Sequence, residues 1–172
     1  MIDPPPATAP TATSHDLRLQ LSSTRRGARL ARLLVEQQLE DWGLPRTATV
    51  TRTVVAVTAE LAANAVTHGH TPGRDFEVRL LLSASHVRIE VSDTRPDRLP
   101  PPPGALGDMP DPDVTTVAES GRGLLLTETL ADRWGCDRRD QYVKTVWAEC
   151  DRTPPSRQPL TQATSQPQSN RQ

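Results

Sequence analysis

The alternation of apolar and polar side chains predicts four short strands in this chain. Residues 16–22 place Leu17, Leu19 and Leu21 on one face, which is typical of a half-buried strand. Residues 76–83 and 86–92 alternate in the same way and are separated by only two residues, so they are predicted to form an antiparallel hairpin. The fourth predicted strand covers residues 142–150.

Two shorter helices are predicted from caps and apolar spacing. The first begins after candidate N-cap residues at 22–24 and ends near Trp42, with Gly43 behind it. Its buried stripe is predicted to consist of leucines, namely Leu30, Leu33, Leu34 and Leu39. The other covers about residues 124–133 and is predicted to be closed by Gly135.

A longer helix between them has to be distinguished from a strand, because Thr and Val dominate its first half and both favour strands. Its apolar residues are four, three, four and four positions apart, which is the spacing of one helix face. They are Val50, Val54, Val57, Leu61 and Ala65. Since the second half is rich in alanine, residues 46–68 are predicted to form one helix that ends at His68-Gly69.

Antiparallel strands with helices on one side indicate an α+β fold. We expect a two-layer sandwich, in which a mostly antiparallel sheet is covered on one face by helices. Fifteen of the 17 prolines lie in residues 1–14, 96–112 and 154–167, whereas all five aromatic residues lie between Trp42 and Trp147. We therefore predict one domain at residues 15–150 with a proline-rich loop, between disordered tails at 1–14 and 151–172.

Composition excludes several classes of protein. The net charge of −1 provides no basic surface for direct nucleic-acid binding. No apolar run approaches the length of a membrane span, and the N-terminus lacks a leader pattern, so no membrane association or secretion is expected. The two cysteines, Cys136 and Cys150, are predicted to be free thiols of a cytoplasmic protein.

One row of polar residues on the long helix has side chains suited to binding or catalysis. Glu60, Asn64 and His68 are four residues apart, so they share a helix face. A carboxylate can accept a proton, and an amide oxygen can bind a hard cation such as Mg²⁺. A solvated polar stripe explains any one such pair equally well, and Asp93, at the end of a predicted strand, can be an ordinary turn residue.

A glycine pair, Gly121 and Gly123, precedes the last predicted helix and can bring backbone N–H groups close to phosphate. Glycines in a turn are the alternative interpretation. Neither a P-loop nor a dinucleotide motif is present, and the histidines at 68, 70 and 86 match no recognised metal-ligand spacing. On the last strand, Lys144 and Thr145 can be an exposed lysine and a strand-favouring threonine.

The order of these weak signals is more specific than any one of them. The segment ELAANAVTHG beginning at Glu60, a strand ending at Asp93, a variable loop, GRGLLL from Gly121 and KTVW from Lys144 follow in sequence. This order resembles that of the GHKL (Bergerat-fold) ATPases, and most closely the small anti-sigma-factor serine kinases. The resemblance covers about residues 16–150.

The resemblance implies a role for each matching residue. Asn64 would hold Mg²⁺ against the triphosphate of ATP, and Glu60 would be the general base. Asp93 would accept from the adenine amino group, with Thr145 assisting through water. The phosphates would lie against Gly121, Arg122, Gly123 and Leu124, under a lid at about 96–120, and His68 would lie beside them.

The implied function is that of an ATP-binding anti-sigma regulator with serine/threonine kinase activity toward an anti-sigma antagonist. Its implied partners are this antagonist and a sigma factor, and a homodimer is the family's usual state. Two departures favour a non-catalytic interaction module instead: Arg95 replaces the glycine of the family's Asp-x-Gly motif, and Val143 replaces the glycine before Lys-Thr. An ATPase without a protein acceptor is a third alternative.

Overall fold

The computed structural model describes residues 13–105 and 120–152, which form eight elements. In chain order these are β1 (Thr13–Leu21), α1 (Arg25–Asp41), α2 (Thr49–His68), β2 (Phe76–Ser83), β3 (His86–Asp93), α3 (Ser120–Leu130), β4 (Arg133–Arg138) and β5 (Lys144–Asp151). The strands form one sheet in the order β1-β2-β3-β5-β4, and each pairing is antiparallel. The predicted α+β class and two-layer arrangement are confirmed.

Helix α2 is the centre of the helical layer. It contacts α1 and α3 on its sides and β2, β3 and β5 beneath it. Its Val54, Val57 and Leu61 are buried, as the spacing predicted, and the sheet contributes alternate residues such as Val78 and Ile89 to the same core. The long helix therefore lies across the middle strands, with its C-terminal end near the end of β3.

The predicted leucine stripe of α1 is wrong for three of its four members. Leu30, Leu33 and Leu34 are 42%, 42% and 36% exposed, and only Leu39 belongs to the core. The buried row instead steps by four residues through Gly27, Ala31, Val35 and Leu39. Small residues on this row allow α1 to approach α2 closely, so side-chain size rather than hydrophobicity selects the buried face.

The segment around Gly135 is a strand that the sequence pattern did not reveal. Helix α3 ends at Leu130 rather than Arg133, and residues 133–138 pair with β5 as the edge strand β4. Gly135 does not close a helix; it lies opposite Trp147, whose ring would be 2.8 Å from a Cβ at this position. The sequence RWGCDR has no simple alternation, so its strand character depends on its partner.

Some predicted boundaries shift, and others lie outside the described residues. Strand β1 begins at Thr13, within the predicted tail, and β5 covers Lys144–Asp151 rather than 142–150. Of the predicted lid at 96–120, residues 106–119 are outside the described ranges, as are residues 1–12 and 153–172 of the predicted tails.

The sheet face opposite the helices has a continuous network of ion pairs. Arg79 joins Asp16 of β1 at 2.7 Å, and Arg88 joins Glu90 and Glu149 at 2.8 and 2.9 Å. The network continues to β4, because Arg133 contacts Glu149 and Asp151, each at 2.8 Å. Burial raises the pKa of the Glu149 carboxyl, but hydrogen bonds from Arg133 and Arg88 outweigh it, so the net pKa is lowered.

Both cysteines are free thiols, as predicted. Burial raises the pKa of the Cys150 thiol to about 12, and it also raises that of Cys136. A thiol with a raised pKa is a poor nucleophile at neutral pH, so neither cysteine is a candidate for covalent chemistry. Among the helices of the described residues, none has the length and apolar character needed to cross a membrane.

Candidate functional site

Helix α2 presents Glu60, Asn64 and His68 in one row, as the spacing predicted. The Asn64 Nδ2 and His68 Nε2 atoms are buried and have no hydrogen-bond partner among the described residues. The Glu60 carboxylate also accepts no hydrogen bond from a described residue and is only half-buried. Because buried polar atoms are normally paired, this row has the donors and acceptors of a ligand-binding surface.

Asp93 ends β3 beside the C-terminal end of the row. Its side chain is 6% exposed, and it lies so close to Gly69 that a Cβ there would be 2.3 Å from the Asp93 Cγ. Asp93 Oδ1 accepts from the Arg95 backbone N–H at 2.9 Å and from the Lys144 ammonium at 2.7 Å. The carboxylate is therefore held in one orientation.

The first turn of α3 closes the other end of the row. Both Gly121 and Gly123 lie inside the helix rather than before it, which corrects the predicted boundary. A Cβ on Gly123 would be 2.5 Å from Glu60 Oε2, so this glycine lets α3 approach the glutamate. The Leu124 side chain is buried in the core, so only its backbone can face the site; the side chain of Arg122 is outside the described part.

The face of β5 that adjoins Asp93 carries Lys144 rather than Thr145. Lys144 is opposite Asp93 in the strand register and is 4% exposed, which contradicts the expectation of an exposed lysine. Thr145 lies on the other face, where its Oγ1 is 2.8 Å from Ser92 Oγ. The burial of Lys144 cannot be read from the sequence, because alternation assigns faces only after the strand boundaries and the register are known.

Arg95 replaces the glycine of the family's Asp-x-Gly motif, but its side chain does not fill this site. The Arg95 guanidinium bonds Asp97 through two contacts of 3.1 Å, and the Arg95 carbonyl accepts from Lys144 at 2.8 Å. Its backbone thus supports Asp93, while its side chain joins a neighbour in the loop. Val143 is half-buried in the turn before β5.

The histidines at 68, 70 and 86 do not form a metal site. His86 begins β3, at the opposite end of that strand from Asp93. Within residues 13–105 and 120–152, no three His, Cys, Asp or Glu side chains are grouped in a way that could hold a metal ion. A cation at this site would therefore be held by the Asn64 amide oxygen together with oxygen ligands that do not come from the protein, namely phosphate and water.

A groove next to Glu60 runs between the helices. It has a volume of about 250 Å³ and is lined by residues of α1, α2, α3 and the α1–α2 connection: Arg32, Glu36, Arg46, Thr51, Arg52, Val55, Ala56, Ala59, Glu60 and Leu126. We call it the arginine groove. Arg32 and Arg52 have no ion-pair or hydrogen-bond partner among the described residues, and neither have Arg25, Arg26 and Arg29 on α1.

The family model of the histidine kinase-like ATPase domain matches residues 21–149. The chain belongs to this family. The match covers most of the sequence and all of the site, and it confirms the predicted resemblance to the GHKL ATPases. An ATP-binding domain of this kind therefore covers residues 21–149.

Solved structures include a relative of the same fold. The crystal structure of the RsbU and RsbW domains of Rv1364c from Mycobacterium tuberculosis superposes with a TM-score of 0.56 at 19% sequence identity. The superposition covers 80% of this chain but only 32% of that one, so this chain spans about a third of the relative. No curated protein matches the sequence.

The residues of the site fit the nucleotide that the family implies. The unpaired Asn64 and His68 nitrogens lie between the Asp93 carboxylate and the turn where Gly123 makes room against Glu60. These groups provide, in order along α2, an acceptor at one end, polar side chains in the middle and helix N–H groups at the other end. That order suits a nucleotide whose base lies at the Asp93 end and whose phosphates lie at the first turn of α3.

Proposed function

We propose that this chain is an ATP-dependent regulator of the anti-sigma type, which phosphorylates a serine or threonine of an antagonist protein and binds a sigma factor in an alternative complex. The observation that carries the proposal is the row of Glu60, Asn64 and His68, with its two unpaired buried nitrogens, between Asp93 and Gly123. The predicted homodimer belongs to the same proposal.

Bound Mg·ATP would supply the transferable phosphoryl group and the charge of the cation. Asn64 would hold the cation through its amide oxygen, and Asp93 would accept from the adenine amino group. The N-terminal N–H groups of α3 would stabilise negative charge beside Gly123. Glu60 would accept the hydroxyl proton of the acceptor side chain, because its carboxylate is free and lies next to that turn.

The arginine groove supports a protein acceptor rather than water. It leads to Glu60, and Arg32 and Arg52 line it without an ion-pair partner among the described residues, beside the carboxylates of Glu36 and Glu60. By contrast, Arg79, Arg88 and Arg133 on the outer sheet face are all paired with carboxylates. An acidic segment of the antagonist would complement the groove and bring its hydroxyl group to Glu60.

A non-catalytic interaction module is the second candidate function. The observation that favours it is the departure from the family's motifs at two positions, where Arg95 and Val143 stand in place of glycines. Calorimetric titration with Mg·ATP separates the two candidates. Absence of binding at millimolar nucleotide would exclude both kinase and ATPase activity, and steady phosphate release without an acceptor would support an ATPase.

Substituting Asn64 by leucine is expected to weaken Mg·ATP binding at least tenfold, because the amide oxygen that would hold the cation is lost. The measurement is a calorimetric titration with Mg²⁺ and with excess chelator. Thr67→Ala, at an exposed position one turn along α2, is the matched control and should change affinity less than twofold. Equal losses with and without Mg²⁺ would contradict the role of Asn64 as a cation ligand.

Reversing charge in the arginine groove is expected to weaken binding of the antagonist by at least tenfold and to leave ATP affinity within twofold. The double substitution Arg32→Glu and Arg52→Glu creates repulsion where an acidic segment would bind. Titration of candidate antagonists at 50 and 300 mM salt measures it. Arg18→Glu, on the outer sheet face, is the control; an equal loss in that variant would contradict docking in the groove.

A further inference from the structure

Lys144 is a buried cation at the base-binding end of the proposed ATP site. Its side chain is 5% exposed, and its ammonium donates to Asp93 Oδ1 at 2.7 Å and to the Arg95 carbonyl at 2.8 Å. An ammonium has three donors, so one N–H remains without a partner among the described residues. A buried ion pair is weak evidence for a stabilising role, because desolvation offsets the attraction.

The contact makes the two oxygens of Asp93 unequal. Oδ1 accepts both the Lys144 ammonium and the Arg95 backbone N–H. Oδ2 lies toward Gly69 and accepts no hydrogen bond from a described residue. Asp93 therefore offers a ligand one acceptor, beside a fixed positive charge.

The number of free oxygens decides which purine a carboxylate prefers. With both oxygens free, it can accept two parallel N–H groups, and guanine presents such a pair on its ring N1 and 2-amino nitrogens. Adenine presents a single amino donor next to an unprotonated ring nitrogen, which accepts a hydrogen bond. A single free oxygen next to an ammonium donor matches the adenine pattern and leaves one guanine donor unpaired.

We propose that Lys144 is a specificity-determining residue, which occupies Asp93 Oδ1 and thereby makes the site select adenine over guanine nucleotides. This inference rests on the proposed ATP binding. It assigns to Lys144 the position at the base that the sequence resemblance gave to Thr145, whose hydroxyl lies on the other face of the sheet.

The test compares affinities of the full chain for Mg·ATP and Mg·GTP by calorimetry. The wild type is expected to prefer ATP at least 100-fold. Lys144→Met keeps an unbranched side chain that is shorter by one atom, but it removes the donors. It is expected to weaken the affinity for ATP about tenfold and to leave the affinity for GTP unchanged or tighter. The ratio of ATP affinity to GTP affinity should thus fall at least tenfold in the methionine variant. Lys144→Arg retains a cation and should keep much of the wild-type ratio.

The ratio of the two affinities distinguishes specificity from a structural role. If Lys144→Met weakened both nucleotides equally, or left their ratio unchanged, Lys144 would not determine specificity. Thermal melting without nucleotide checks the fold of each variant. If the methionine variant does not fold, Lys144→Gln, which has one NH₂ group, replaces it and should give a ratio of ATP to GTP affinity between those of the wild type and a site without preference. A wild-type ratio in the glutamine variant would overturn the inference. A wild type that binds neither nucleotide would overturn the proposed function itself.

Discussion

Glu60→Gln is expected to lower phosphoryl transfer to the antagonist by about 10²–10⁴-fold, the range found when a general base is removed. The glutamine has nearly the shape of the glutamate, but it cannot accept the proton of the attacking hydroxyl group. ATP affinity should stay within about twofold, because Glu60 faces the first turn of α3 rather than the base-binding end. Transfer of a radiolabelled phosphoryl group, measured at saturating nucleotide, checks this expectation.

Glu36→Gln is the matched control for Glu60. Both glutamates line the arginine groove, and each substitution removes one negative charge from it. Since Glu36 is on α1, away from the row on α2, its substitution should leave the maximal transfer rate nearly unchanged. If the two variants lost activity equally, the effect would come from the charge of the groove rather than from proton acceptance.

Gly69→Ala is expected to destabilise the domain by about 1–3 kcal/mol and to weaken ATP binding by at least tenfold. A Cβ at this position would lie 2.3–2.5 Å from three atoms of Asp93. The carboxylate cannot turn aside freely, because Lys144 and the Arg95 backbone hold it. Either α2 or the end of β3 must therefore move. Thermal melting and calorimetric titration with Mg·ATP measure the two effects.

Gly73→Asn is the control for this steric argument. Gly73 lies in the same connection between α2 and β2, nothing is within 4 Å of its Cβ position, and its φ of +74° is one that asparagine tolerates. This variant should keep ATP affinity within about twofold. Loss of binding in both variants would indicate that the connection, and not the contact with Asp93, is sensitive to substitution.

The elements that the sequence predicted well are those whose pattern is local. The alternation in β2 and β3 and the apolar spacing of α2 are set by residues within each element, and the structure has all three close to the predicted bounds. The row of Glu60, Asn64 and His68 follows from helix geometry alone. Its position next to Asp93 and Gly123 needs tertiary packing, and only the order of motifs pointed to it.

The features that the sequence did not predict depend on neighbours. The buried face of α1 is decided by how closely α2 can approach, so Ala31 and Val35 are buried while larger leucines are exposed. Strand β4 exists because β5 offers it an edge and because Gly135 leaves room for Trp147. The burial of Lys144 is a matter of register, since a shift of one residue would have placed Thr145 beside Asp93.

The arginines of the outer sheet face are paired with carboxylates, and this bears on where an acidic partner can bind. That side has already satisfied its positive charge internally, whereas Arg32 and Arg52 of the helical side have no described carboxylate partner. The helical side is therefore where we propose that an acidic protein binds. If the antagonist and the sigma factor both need this side, each excludes the other by occupancy, and their exchange is competition for one place rather than a change of shape.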